Sequence, residues 1–599
     1  MLAHNIRRNF GDPYLGKSPT LGDALVSIIR HFGGQRVFGV GGDFAAGLIA
    51  ALDPHLQVLP ASNEMHAGFA ACADAEIGGI GFCLTTYTVG SLPCVSAAAL
   101  AKTESLPVIF ISGAPGESEV HQHAIHHTVH PSNAWRVEYD AALRAFAGLG
   151  IRAERLQGAR HPSQPNIAGY QFYQLVKHAW LHREPVFIEI PRDLVQQNTQ
   201  ALALPILPEL RETQELVFDG VKDIANVIAD KISKAKAPLV YIGEQLKLNR
   251  ALQHRLLAFC EQYHIPYATS WFAKGLFDDF SPLCLGSYNG VFTDASARQY
   301  IDNEVDYVLD IGSSIFEQDT GQAFQTCTHR IATMENKTVV KSTLPHEQDL
   351  RVLIDTLMQQ DLLVKPYAYP VTSNKQPVDD SQPMDFNVLA DTLNALQQHD
   401  NHAYVYVPEV GNSYFASFSL KTRRSALGRS WLANPWYAAM GTSLPYARVA
   451  CEHINKRGLN DRVVVITGDG GFHFQLNELI HFQKEKLPVT IVYMRNNVFD
   501  LGRCGEGPIY HCSDTGFDVH ALIKAYGGQS KRCTTVAEFK QDFSLAVSQA
   551  EGITLLEIPC TPTADRQCRE VSLLNLYIRS RNGFADAIEQ WQAICGSKP

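Results

Sequence analysis

The sequence predicts an α/β protein built from three doubly wound parallel sheets. Three observations carry that expectation. Short apolar runs of strand length alternate with longer stretches of helical spacing along most of the chain. The alternation falls into three blocks of similar size, separated by two polar, proline-bearing segments. Glycine turns carrying an aspartate, Gly41-Gly42-Asp43 and Gly468-Asp469-Gly470-Gly471, follow two of the apolar runs, where an open parallel sheet presents its ligand-binding edge.

The first block belongs to a domain spanning 1–195. Leu21–His31 has helical spacing, Arg36–Val40 is a strand running into Gly41-Gly42-Asp43, and a helix follows through Leu52. Val58–Ala61 reads as a strand, Asn63–Glu76 as a helix and Ile80–Thr85 as a strand. A small-residue helix over Gly90–Ala101 follows, then strands at Leu106–Ser112 and Pro185–Ile190. Residues 196–215 read as a linker. The second block, 216–365, places helices at Val221–Ala235 and Ala251–Tyr263, and strands at Pro238–Ile242, Pro266–Thr269 and Val305–Ile311. It has no GxGxxG after a strand, so no dinucleotide fingerprint. Residues 366–385 read as a second linker. The third block, 386–599, places helices at Phe386–Gln397, Met440–Lys456, Gln475–Lys486 and Val519–Tyr526, between strands at Tyr404–Pro408, Val463–Thr467, Val489–Met494 and Thr554–Ile558.

Composition bounds the function class. In 599 residues, 45% are hydrophobic and 19% charged, enough apolar material for several cores and unlike a disordered chain. The 51 Lys+Arg against 61 Asp+Glu give a formal net charge of −10, with no long basic block, so no nucleic-acid partner is expected. No apolar run reaches the roughly 18 residues of a membrane span. The N-terminal stretch has arginines but no apolar core of a secretory signal. The 13 cysteines form no CxxC pair and read as thiols of a reducing, cytoplasmic compartment.

The sharpest local signal is Gly468-Asp469-Gly470-Gly471 followed by Asn496-Asn497. Taken alone, GDGG is a tight turn after a strand. Asp469 and Asn496, however, close two strands joined by one helix, a crossover that commonly makes such strands neighbours. A carboxylate oxygen, an amide oxygen and a nearby backbone carbonyl suit Mg2+, which often shares its shell with a phosphate-bearing ligand. The glycines would let backbone approach that ligand.

The stretch GDGGFHFQLNELIHFQKEKLPVTIVYMRNN resembles the GDG…N cofactor motif of thiamine-diphosphate-dependent enzymes. The resemblance covers nearly the whole chain, because that family also has three α/β domains: aminopyrimidine-binding, middle and diphosphate-binding. It implies thiamine diphosphate held through Gly468, Asp469, Gly470, Gly471 and Asn496, with Mg2+ on Asp469, Asn496 and the carbonyl of Val498. It implies a catalytic glutamate that bonds the aminopyrimidine ring, and Glu64 in NExxAGxAA matches it. By position alone Glu64 is an acid in a helix's first turn, favourable to the dipole. Thr86 in TTYTVG resembles the TTxGVG loop near the aminopyrimidine. Gly411 and Asn412 in EVGNS resemble the ETGTS segment beside the diphosphate. Met440 matches the bulky apolar residue beneath the thiazolium. A homodimer or homotetramer, with active sites between subunits, is implied.

Two motifs are similar to those of pyruvate and indolepyruvate decarboxylases. Asp43 in GGDF matches the aspartate that faces the substrate, and His126-His127-Thr128 matches the paired histidines of a proton relay. Histidine suits that task because its ordinary pKa lies near neutrality. A metal cluster in HAIHHTVH is disfavoured because the spacing is irregular and no Cys or carboxylate pair completes it. The chain departs from the decarboxylase pattern at Gly502, where the resemblance calls for a glutamate; Asp500 and Glu506 are the nearest acids in sequence. The leading expectation is therefore non-oxidative decarboxylation of a small-molecule 2-oxo acid to an aldehyde and CO2. The alternative is an acetolactate-synthase-like carboligase, which the missing acid and the turn Pro191-Arg192-Asp193 favour. The third reading is a catalytically degenerate cofactor-binding protein.

Overall fold

The computed structural model describes residues 18–129, 137–159, 161, 164–205, 207, 220–314, 328–332, 342–343, 347–365, 377–498, 517–560 and 568–595. The chain divides into two compact units. The first is Met1–Glu212 with Asn434–Ala439, and the second is Thr213–Ala433 with Met440–Pro599.

The first unit is one six-stranded parallel sheet of β1 (Arg36–Gly39), β2 (Gln57–Pro60), β3 (Gly81–Thr85), β4 (Val108–Ala114), β5 (Arg152–Arg155) and β6 (Val186–Pro191). The strand order is β2-β1-β3-β4-β6-β5. β1 has β2 on one side and β3 on the other, so the loops leaving β1 and β3 part at a topological switch point. The central strands are apolar throughout because helices cover both faces; every residue of β4 is buried. The helix Glu64–Gly78 is made of small residues and is buried without a break from His66 to Ile77. Asn63 caps its start, accepting from His66 N at 2.8 Å, and Gly79 ends it at φ 95°.

The stretch between Ser112 and Pro185, which the sequence leaves without elements, holds helices Ala141–Gly148 and Ala168–His182 and the edge strand β5. β5 reads Arg-Ala-Glu-Arg and shows no apolar alternation. It is tied down by an ion pair instead: Arg155 Nη2 lies 2.6 Å from Glu189 Oε2 on the neighbouring β6, and the Glu189 side chain is fully buried. Part of the first expected linker belongs to this core. Leu202, Leu204 and Leu207 pack against it, and Thr199 N donates to Pro19 O at 2.8 Å.

The second unit carries two parallel sheets. One contains β7 (Pro238–Ile242), β8 (Tyr267–Thr269), β9 (Cys284–Ser287), β10 (Tyr307–Ile311), β11 (Thr328–Ala332) and β12 (Ser342–Thr343), in the order β12-β11-β10-β7-β8-β9. The other contains β13 (Tyr404–Pro408), β14 (Arg462–Gly468), β15 (Val489–Arg495), β16 (Gln529–Arg532) and β17 (Ile553–Pro559), in the order β13-β14-β15-β17-β16. Three α/β sheets of parallel strands therefore stand where the alternation predicts them. The end of the second expected linker is also packed: Met384 is buried and its N–H donates to Thr534 O at 2.9 Å. Two helices of this unit are shorter than their apolar spacing suggests. One begins at Ser443, not Met440, and the other spans only Leu479–Lys484 behind a 3-10 turn at Leu476–Glu478. The described cysteines are free thiols. No described helix is long and apolar enough to cross a membrane.

Burial pushes the Glu189 carboxyl up to about 7 from about 4.5, against the pull of Arg155. The folded chain therefore keeps this proton to higher pH than the unfolded chain does. The stability it contributes is fully present below about pH 4.5 and is lost as pH rises through about 7. We expect thermal unfolding of wild type to lose on the order of 1–3 kcal/mol relative to Glu189→Gln between pH 5 and 8. Parallel pH dependences for the two proteins would contradict this account.

Candidate active site

In the second unit the ends of β14 and β15 are neighbours, with Gly468 paired to Met494. Asp469 follows directly. Its Oδ1 accepts from Gly470 N at 2.9 Å, and its Oδ2 accepts from Asn497 N. Asn497 reaches that position at φ 61°, a conformation that asparagine tolerates better than most residues. Asn496 Oδ1 lies 3.4 Å from Val498 N, and both residues are buried. Burial pushes the Asp469 carboxyl up, and the backbone N–H donors oppose that shift. Asp469 and Asn496 thus stand at adjacent strand ends, a carboxylate and an amide oxygen of the kind a hard divalent cation takes.

The surrounding loops are organised by Glu409, which leaves the apolar strand β13 and is fully buried. It accepts from Val410 N at 3.0 Å, Gly441 N at 2.9 Å, Ser443 N at 3.1 Å and Gln475 Nε2 at 2.6 Å. Burial raises its pKa, and the donors from Ser443, Gly441 and Val410 pull it back. Gln475 uses its other end to accept from Leu444 N at 2.7 Å. These bonds explain the two shortened helices. The backbone at Gly441, at φ 83°, turns its N–H to Glu409 before the helix can begin, and Gln475 breaks helical backbone to reach the same carboxylate. They also change the reading of Gly471. A Cβ there would fall 2.3 Å from Glu409 Cγ, so this glycine makes room for the buried glutamate. Gln475 and the organising part played by Glu409 escape the sequence reading. A lone acid closing a wholly apolar strand was the available signal.

Gly411, at φ 121°, leads into the short helix Asn412–Ala416. Asn412 Oδ1 and Ser413 Oγ are buried there with no hydrogen-bond partner among the described residues. Buried polar atoms are nearly always satisfied, so the Ser413 hydroxyl, which can donate, fits an anionic ligand such as a diphosphate, while Asn412 Oδ1 can only accept. Met440 lies in the turn ahead of Ser443.

In the first unit the loops after β1, β3 and β4 bring Asp43, Thr86, His126 and His127 together. Asp43 Oδ2 is 3.3 Å from His126 Nε2, and Oδ1 is 3.8 Å from His127 Nε2 and 3.5 Å from Thr86 Oγ1. The imidazole rings meet edge to face at 3.9 Å and flank Phe44. Gly42 is required here, since a Cβ would fall 2.5 Å from Thr86 Cβ. The ligand-type atoms of Asp43, His126 and His127 all lie within 4.8 Å of one another, so Asp43 supplies the carboxylate that the histidine loop lacks. Arg192 Nη1, 3.9 Å from Asp43 Oδ2, places a positive charge where a cation would compete. Thr88 stands at φ 31° where the similar TTxGVG pattern has glycine, so this loop holds a β-branched residue in a region that disfavours it.

Glu64 opens the helix after β2 and is half-buried. Among the described residues no hydrogen bond or ion pair reaches its carboxylate, while Cys94 Sγ donates to its backbone carbonyl at 3.1 Å. Gly502, Asp500 and Glu506 lie outside the described residues.

Three family models match the chain in order: the N-terminal thiamine pyrophosphate binding domain over residues 19–134, the central domain over 225–351 and the C-terminal thiamine pyrophosphate binding domain over 409–558. The chain is 24% identical over 557 residues to an alpha-keto-acid decarboxylase of Mycobacterium leprae, covering 90% of this chain and 92% of the relative. It is 23% identical to an indole-3-pyruvate decarboxylase of Azospirillum brasilense, covering 90% and 94%. The chain belongs to the thiamine pyrophosphate enzyme family. An X-ray structure from Mycobacterium smegmatis, assigned as a thiamin diphosphate-dependent enzyme, shares the fold with TM-score 0.71 at 17% identity, covering 91% of this chain and 100% of that one.

In this family member, the two thiamine-pyrophosphate-binding matches contain Glu64 and Thr86 in one, and Gly411, Met440, Asp469 and Asn496 in the other. The packing at Gly471 makes a direct prediction. Gly471→Ala should lose about 1–3 kcal/mol of stability through overpacking against Glu409. It should also weaken thiamine diphosphate binding, measured by thermal unfolding and cofactor titration. Wild-type values in both would show that Glu409 yields freely.

Proposed function

We propose that the protein catalyses the thiamine-diphosphate- and Mg2+-dependent, non-oxidative decarboxylation of a 2-oxo acid to an aldehyde and CO2. The observation that carries this reading is the convergence of Asp43, from the loop after β1, with His126 and His127, from the segment after β4, within 3.3–3.8 Å. A carboxylate beside two imidazoles is a group that can hold a substrate and pass protons near neutral pH. The decarboxylase names of the relatives point the same way.

Asp469, Asn496 and the Val498 carbonyl would hold Mg2+. Gly468, Gly470, Gly471, Gly411 and Asn412 would line the diphosphate, with the Ser413 hydroxyl left open to donate to it. Met440 would support the thiazolium. Glu64 offers a carboxylate that no hydrogen bond or ion pair reaches among the described residues, able to hold a proton at the aminopyrimidine ring beside Thr86. Bound thiamine diphosphate supplies the carbon nucleophile and the electron sink for CO2 loss. Asp43 and the His126–His127 pair orient the 2-oxo acid and deliver the proton that completes the aldehyde. The working form is a homodimer or homotetramer.

Glu64→Gln should reduce decarboxylation by about 10²–10⁴-fold while the fold and cofactor binding persist. Substantial retained turnover would remove Glu64 from the mechanism. With pyruvate, branched-chain, phenyl and indole 2-oxo acids, aldehyde should equal CO2. A hydroxy-ketone making up an aldehyde deficit would instead favour the carboligase that Gly502 suggests. Cofactor binding without turnover on any of these acids would favour a binding protein.

A further inference from the structure

The turn Pro191-Arg192-Asp193 stands out in the sequence and has no part in the decarboxylase reading. It leaves the end of β6, and Arg192 N donates to Ala114 O at the end of β4 at 2.9 Å. The guanidinium grips Glu119 with two bonds, Nε to Oε2 at 3.0 Å and Nη2 to Oε1. Bidentate pairs of this kind fix geometry as well as charge. Nη1 of the same group lies 3.9 Å from Asp43 Oδ2, and Cζ sits 4.6 Å above the Phe44 ring.

Glu119 belongs to the short helix Glu117–His121 that leads into the histidine pair. Its carboxylate is fixed a second time, accepting from Gly116 N at 2.8 Å. Asp193 Oδ2 accepts from Glu117 N at 3.1 Å, and a Cβ on Gly116 would fall 2.9 Å from Asp193 Cγ. The far end of the segment is held by Tyr139, whose hydroxyl donates to Ala124 O at 2.9 Å. A single exposed ion pair contributes little. Here one guanidinium instead joins three things: the strand end, the histidine-bearing segment and the Asp43 loop.

We propose that Arg192 is a positioning residue for the Asp43–His126–His127 group. Through Glu119 it fastens the segment that presents the two imidazoles, and its Nη1 faces Asp43. The kinetic part of the proposal rests on the decarboxylase reading; the structural part does not. Among the described residues, Asp43 and Arg192 lie by the histidine pair, with Glu119, Glu117 and Asp193 behind them and His121 paired to Glu117 at 3.6 Å. Loss of the guanidinium removes the fork that holds Glu119 and so frees the segment that leads into the histidine pair.

The test uses the full-length protein labelled with 13C-histidine, the two signals assigned through His126→Gln and His127→Gln. In Arg192→Gln the His126 and His127 signals should be displaced from their wild-type chemical shifts at one fixed pH. Decarboxylation kcat/KM should fall about tenfold, with thiamine diphosphate affinity unchanged. Arg192→Lys should restore neither the signals nor the rate, because it returns the charge without the fork. Glu119→Gln should displace the signals and lower the rate as Arg192→Gln does, and the double variant should be no worse. Wild-type histidine signals in Arg192→Gln overturn the proposal whatever the rate does. Displaced signals in a protein whose wild type decarboxylates no 2-oxo acid keep the positioning and discard the decarboxylase reading. Should Arg192→Gln fail to fold, Arg192→Lys decides: displaced histidine signals uphold the proposal, and unchanged ones overturn it.

Discussion

The second unit depends on one buried carboxylate. Glu409 lies at the end of an apolar strand with no exposure to water, and four N–H donors from three separate stretches of chain converge on it. A buried charge is tolerated only when it is satisfied, and each lost donor leaves it costly. That constraint sets where two helices begin, why residue 471 has no side chain and where the turn carrying Met440 lies. Asp469 and Asn496, at the ends of β14 and β15, sit on a platform whose loops have little freedom to drift.

The first unit reaches the same end with different chemistry. Its central sheet is apolar on both faces, while its edge and its functional loops are fastened by charged pairs. Arg155 with Glu189 holds the edge strand β5, and Arg192 with Glu119 holds the segment before the histidine pair. Guanidinium forks suit this use because they fix direction in a way that apolar contact does not. The Thr88 backbone, at φ 31°, is held in a disfavoured region within this frame, consistent with a loop shaped by its surroundings rather than by its own preference.

Much of the architecture was legible because parallel strands buried on both faces write themselves as apolar runs. β7, β13 and the helix Leu21–His31 fall on their expected residues. β5 was not legible, since Arg-Ala-Glu-Arg carries no period and its anchor, Glu189, is distant in sequence. The helix over Gln475–Lys486 was overread because its apolar spacing continues through a residue whose side chain is committed to Glu409.

By itself the sequence determined the alternation of strands and helices, the family, and the chemistry-bearing residue types at strand ends, because these are written in local pattern and spacing. Tertiary structure alone decided that Asp43 meets His126 and His127, that Arg192 reaches that group, and that Gly471 answers to Glu409. Each of these links residues far apart in the chain. Their contact energies exist only once the sheet order has brought the loops together, and no local pattern encodes that order.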